Sequence, residues 1–239
     1  MKIPTARTYH ASCLLGKYMI VIGGESLSDL KDLWALDLEQ RKWIEPTIEN
    51  FDSFTPKRFH TANVIGNSKI ITFGGCHSEY VHLNELHIFD LAEFLRSPSN
   101  STISCVRIEN SLGVPSSRWG HSSAVYQDRL YILGGRNDED LIDLQVYDMF
   151  TNQWEEIKPT ALAPKPRRRH SSIIYSGSLI VFGGFDGAFF NDMYLLDLNK
   201  ELKQTIKIQP STIDQDYMSL VNDLNSSDIT FTLDDCKRS

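Results

Sequence analysis

Cysteine is scarce and dispersed in this chain. Its four cysteines, Cys13, Cys76, Cys105 and Cys236, show no C-x-x-C spacing across 239 residues. A disulfide-dense scaffold is therefore excluded. Long apolar runs are also missing, and none approaches the ~20 residues that span a bilayer. The opening Met1-Lys2-Ile3-Pro4 lacks the apolar stretch of a signal peptide. These absences predict a cytoplasmic or nuclear protein with no membrane partner, in which the N-x-[ST] matches at Asn100 and Asn225 go unused.

Basic charge is in deficit. Lys and Arg number 24 against 31 Asp and Glu, a net −7. Binding nucleic acid by neutralising phosphates needs the opposite sign, so no nucleic-acid partner is expected. The short basic run Arg167-Arg168-Arg169 reads as a solvated loop. Catalytic signatures are sparse too. No G-x-S-x-G elbow and no phosphate-cradling glycine loop occurs. An E-x-x-x-D-x-x-x-H iron pattern starts at Glu25 and Asp29 but meets Leu33 in third place. His77, His82 and His87 are five apart, and odd spacing on a strand alternates faces, so they do not converge on a metal. Neither a cofactor nor a metal is expected.

What the chain does have is a repeat. Glycine pairs recur at Gly23-Gly24, Gly74-Gly75, Gly134-Gly135 and Gly183-Gly184, spaced by 51, 60 and 49 residues. His10, His60, His121 and His170 precede them by 13, 14, 13 and 13. Three residues before each histidine stands a base: Arg7, Lys57, Arg118 or Arg167. An apolar run leads into each glycine pair, and a second run ends in Asp37, Asp90, Asp148 or Asp197. Such short β-branched and aromatic runs between turn signals read as strands. Several are apolar on both faces, which requires a sheet stacked between two others. One histidine per unit points to structure, since an active site is used once.

These motifs, R-T-Y-H…IGG…LWALD…W, K-R-F-H…FGG…LHIFD, R-W-G-H…LGG…LQVYD…W and R-R-R-H…FGG…MYLLD, resemble the kelch family. The resemblance implies an all-β fold of kelch β-propeller blades, each a four-stranded antiparallel sheet, with repeats at about 4–49, 55–110, 115–158 and 164–207. Four repeats stand at the low end of the 4–8 blades of a propeller. The expectation is an open arc, completed by further sequence or by a second molecule, in preference to a strained ring.

Residues 208–239 depart from the pattern and carry six Asp against two basic residues. Tyr217–Leu224 has short helical spacing, and Asp228–Leu233 alternates like a strand. This resembles the start of a BTB domain, cut short, after a linker; the alternative is an acidic tail without a fold. A kelch–BTB chain implies a substrate-recognition or scaffold protein, an adaptor for a cullin-type ubiquitin ligase. The alternative function is a small-molecule enzyme on a kelch propeller.

The loops after the glycine pairs vary while their flanks do not, and variable loops on a rigid scaffold are where binding resides. The partner-binding candidates are Arg136, Asp138, Glu139 and Asp140 in one loop and Phe185, Asp186, Phe189 and Phe190 in another. The acids offer negative charge and the aromatics offer interface anchors.

Overall fold

Apolar runs broken at glycine pairs and tight turns become strands, and each group of four becomes a sheet. The structure, a computed structural model, describes residues 2–78, 81–98, 101–109, 112–158, 163–199 and 205–208. The segment that resembles a BTB start lies outside the described residues. Blade one is β1 (Ala11–Leu15), β2 (Tyr18–Ile22), β3 (Leu33–Asp37) and β4 (Lys42–Ile44). A short β5 (Thr47–Glu49) follows. Blade two contains β6 (Thr61–Ile65) and β7 (Lys69–Phe73), a hairpin of β8 (Cys76–His77) and β9 (Val81–His82), then β10 (Leu86–Asp90) and β11 (Thr102–Arg107). Blade three is β12 (Ser122–Tyr126), β13 (Arg129–Arg136), β14 (Asp140–Asp148) and β15 (Gln153–Ile157). Blade four is β16 (Ser171–Tyr175), β17 (Ser178–Phe182), β18 (Met193–Asp197) and β19 (Thr205–Ile208).

The four sheets are arranged as the blades of a β-propeller, antiparallel except at one edge. There, β5 pairs in parallel with β11, Thr47 opposite Thr102. Residues 47–49, expected to close the first repeat, thus extend the second blade. Between β10 and β11 lies α1 (Ala92–Arg96), whose Phe94 is fully buried and meets the Tyr18 ring edge-on at 5.2 Å. In blade three the strand does not stop at the glycine pair; β13 runs through Gly134-Gly135 to Arg136, with a register shift between Leu133 and Gly135.

The core lies between blades. Ile20, Ile22 and Leu33 of blade one pack with Phe89 and Ile103 of blade two. Phe73 and Ile71 of blade two pack with Ile132 and Trp154 of blade three. Leu133 and Val146 of blade three pack with Val181 and Leu196 of blade four. The innermost strands touch in the same succession, β1 with β6, β6 with β12, and β12 with β16. Among the described residues, β16 makes no packing of that extent against β1.

Candidate functional site

The second, third and fourth R-x-x-H units each join two blades with two different parts. The basic side chain of a unit stays at home. Arg118 reaches both carboxylate oxygens of Asp143 at 2.7 and 2.8 Å and the Gly134 carbonyl at 3.1 Å. Arg167 does the same to Asp192 and Gly183, and Arg7 to Asp32 and Gly23. Blade two substitutes Lys57, whose Nζ donates to Glu85 at 3.0 Å. Arg118, Arg167 and Lys57 are fully buried, and a buried cation without its carboxylate is strongly destabilising. No ion-pair role was assigned from the sequence to Asp32, Glu85, Asp143 and Asp192. A constant offset of 25 residues from the Arg in three units is the signal that marks them.

The backbone and histidine of the unit reach the preceding blade. Gly24, Gly75 and Gly135 donate their N–H to the carbonyls of Lys57, Arg118 and Arg167 at 2.8–2.9 Å. The left-handed first glycine of each pair leaves room for the incoming histidine: a Cβ on Gly74 would fall 2.9 Å from His121 Cε1 and 2.8 Å from the Arg118 carbonyl. The Thr61 hydroxyl shares a 3.0 Å hydrogen bond with His121 Nε2, and the Ser122 hydroxyl a 2.8 Å bond with His170 Nε2. Burial, then the nearby Arg, pushes the His121 pKa down to about 3 and that of His170 to about 4. His60 is driven well below 6.5, first by burial and then by Lys57. These histidines are neutral wedges. A hydroxyl–imidazole pair that recurs at successive buried junctions is a structural device, not a nucleophile and its base.

The residue between base and histidine makes the candidate site. Tyr9, Phe59 and Arg169 hold φ of 55–56°, the left-handed region, where blade three has Gly120 at 63°. For an L-residue that conformation costs about 1–2 kcal/mol. Their N–H and C=O groups run from blade to blade: Phe59 donates to Tyr9, Gly120 to Phe59, and Arg169 to Gly120. The side chains gather at one mouth. The Tyr9 and Phe59 rings stack at 3.9 Å, and Phe59 lies 5.1 Å from Trp119. The Arg169 guanidinium sits 5.0 Å from the Phe59 ring and 5.4 Å from Trp119. Beneath them opens a cavity of about 330 Å³ whose walls include Tyr9, Phe59, Arg169 and the four repeat histidines. Arg169 is exposed and makes no ion pair among the described residues. Reading the histidines alone missed Tyr9, Phe59, Trp119 and Arg169; aromatic residues inside three of the four R-x-x-H units were the available signal.

The expected loops do lie on this face, because each pairs with an R-x-x-H unit: Thr8 with Glu25, Arg58 with Cys76, Trp119 with Arg136, and Arg168 with Phe185. Their side chains divide. Asp140 is buried against Arg168 and Arg136, so it does not present free negative charge as expected, whereas Asp138 and Glu139 are exposed. Glu25 and Asp29 are likewise neutralised by Arg58. Phe190 is half-buried under Arg167, whose Cζ is 4.4 Å from its ring. Phe185 takes Arg168 at 4.8 Å and leans on Phe189, centroids 5.0 Å apart. Phe189 itself is 89% exposed, and Asp186 is exposed beside it. No helix among the described residues is long and apolar enough to cross a membrane.

Comparison with known proteins agrees with this geometry. The family profile described as the KLHDC2/KLHL20/DRC7 Kelch-repeats domain matches residues 1–100 and 52–215. Kelch domain-containing protein 3 of Rattus norvegicus is 28% identical over 250 aligned positions, covering 93% of this chain and 62% of that protein. The Homo sapiens protein of the same name is 27% identical with the same coverage. Tip elongation aberrant protein 1 of Schizosaccharomyces pombe is 33% identical over 152 positions, which are 60% of this chain and 12% of that protein. The chain thus spans less than two thirds of the length of these relatives.

Proposed function

The chain belongs to the Kelch-repeat family, and from that premise we propose that it is a non-catalytic protein-binding propeller whose client docks over the mouth and onto the adjoining loops. One observation carries this reading. Three non-glycine side chains hold a left-handed turn that glycine would relieve, and all three face one cavity. Local strain persists where the side chain is needed. Stacked aromatics beside an unpaired guanidinium are the composition of interface hot spots. The exposed Phe189 and the exposed acids Asp138 and Glu139 extend the face outward. An enzymatic reading finds no support in His60, His121 and His170, each of which is a junction wedge.

The finer reading is a substrate adaptor or scaffold, with docking to a cullin-type ubiquitin ligase through a BTB domain; it rests on the resemblance of residues 217–233, and a cytoplasmic or nuclear location goes with it. Affinity capture with wild-type chain and with Arg169→Glu tests both readings. Arg169 is exposed and makes no ion pair among the described residues, so the variant should lose no more than its exposed ring contacts, about 0.5–1 kcal/mol, and stay folded. Proteins captured by wild type and lost with Arg169→Glu support the mouth as the client site, and a cullin retained by both supports the adaptor role. Identical capture by the two chains sinks the mouth.

A further inference from the structure

We propose that Ser97, at the end of α1, is a phosphorylation site that a proline-directed serine kinase takes on the folded chain. The sequence has two Ser/Thr-Pro steps, Thr55-Pro56 and Ser97-Pro98. As a string of residues Thr55 is the richer one, because Lys57 and Arg58 follow its proline and offer a kinase positive charge to read. The fold reverses that ranking. Thr55 is half-buried, and its hydroxyl donates at 2.7 Å to Glu85, the same carboxylate that holds the fully buried Lys57. Drawing Thr55 into a kinase cleft would pull apart a buried ion pair. Ser97, by contrast, is exposed, and its hydroxyl has no hydrogen-bond partner among the described residues. Its backbone has already left the helix, at φ −150° and ψ 79°, and Pro98 keeps it out of the helical region. Pro98 also brings no N–H, so a cleft with no acceptor at that place takes proline and rejects other residues.

Blade two makes room for this site in one connection. Residues 38–41 and 149–152 suffice to join the third and fourth strands of blades one and three, whereas residues 91–101 separate β10 from β11. The segment is anchored by everything except the serine hydroxyl. Phe94 is fully buried, Ala92 N–H donates to Asp90 at 2.9 Å, and Ser97 N–H donates to the Glu93 carbonyl at 3.0 Å. Its place in the blade follows from register. β10 runs from Leu86, opposite Phe73 beside the glycine pair, to Asp90, opposite Lys69. The loops after the glycine pairs border the mouth, so Ser97 lies at the other end of the blade, on the face turned away from it. In the transfer, Ser97 Oγ bonds to the γ-phosphorus of a nucleoside triphosphate as the bond from that phosphorus to the β-phosphate oxygen breaks. The Oγ proton passes to the carboxylate base of the kinase, and the nucleoside diphosphate leaves. The product places a charge of about −1.5 to −2 at pH 7 beside the exposed Arg96.

The two Ser/Thr-Pro steps make the test selective. The full chain is incubated with ATP, magnesium and a proline-directed kinase of the mitogen-activated class, then read by intact mass and peptide mapping. Circular dichroism of the same samples establishes that the chain is folded. Wild type should gain one phosphoryl group, on Ser97, and none on Thr55. Ser97→Ala alters an exposed side chain with no described partner, so it should keep the wild-type spectrum and gain none. A folded wild-type chain that takes no phosphate, phosphate on Thr55, or incorporation that survives Ser97→Ala overturns the proposal. Client capture plays no part in this readout, so Ser97 and the mouth stand or fall separately.

Discussion

Blade three and blade four are built from one motif, yet they meet different surroundings. Leu133 is 6% exposed and its counterpart Phe182 is 47%; Tyr131 is 3% exposed while Ile180 is only half-buried. The hydrogen bonds inside each blade are alike, with Arg118 on Asp143 and Arg167 on Asp192. What differs is the neighbour. Blade four stands against the outer face of blade three, and no described residue stands in that way against blade four. The repeat therefore encodes a sheet with two apolar faces, and burial of the second face is supplied from outside it.

Glycine substitutions give the largest contrast. Gly134 and Gly183 share positive φ, at 58° and 69°, so a side chain is disfavoured at both. At Gly134 a Cβ also falls 2.7 Å from the Arg167 carbonyl, inside a junction bonded across Gly135 N–H. At Gly183 it meets nothing nearer than 3.5 Å. Gly134→Val should leave no soluble folded chain. Gly183→Ala should fold and lose about 1–2 kcal/mol, the cost of the left-handed conformation alone. Circular dichroism and urea midpoints read both. Equal damage at the two positions would show that the conformation, not the neighbour, decides.

The blades were legible in the sequence because their signals are local: the glycine pairs, the histidine offset and the strand runs each lie within one unit. The junction chemistry was only half legible. That Arg and His tie the motif together could be expected, but not that the Arg side chain serves its own blade while its carbonyl and the histidine serve the previous one. That division depends on an acid 25 residues away, Asp143 for Arg118, and on a glycine of another repeat. The loops gather on one face, but charge there was misjudged. Asp140 looked free because Arg168, which neutralises it, is 28 residues distant. The mouth was missed since the left-handed turn that aims Tyr9, Phe59 and Arg169 leaves no mark in composition.

A smaller effect should come from pH, and it sharpens the same comparison. His121 and His170 fill junctions and have pKa values near 3 and 4, against 6.5 when unfolded. The unfolded chain therefore binds protons that the folded chain refuses. Their contribution is fully present above pH 6.5 and is lost as pH falls from there towards 4 and then 3. At pH 5 each should have forfeited about 2 kcal/mol. His10, at an open end, is lowered by burial and by Arg7 but remains exposed. Urea midpoints at pH 7 and pH 5 should drop sharply for wild type. The drop should shrink for His121→Asn, which removes one refused proton, and shrink less for the more exposed His10→Asn. A pH response insensitive to His121 would remove the junction histidines from the account.

The smallest effect separates two neighbouring aromatics on the rim. Phe190 lies under the buried Arg167 guanidinium at 4.4 Å, while Phe189 is 89% exposed and touches only Phe185 among the described aromatic rings. A cation over a desolvated ring is worth roughly 0.5–2 kcal/mol. Phe190→Ser should therefore lower stability by that amount, through the clamp that holds Arg167 on Asp192. Phe189→Ser should stay within about 0.5 kcal/mol of wild type, as surface substitutions do. Client capture should move the other way, weakened by Phe189→Ser far more than its stability is. Melting curves beside capture yields for the two single variants decide the matter. Loss of stability with Phe189→Ser would make that ring a part of the blade and withdraw it from the binding face.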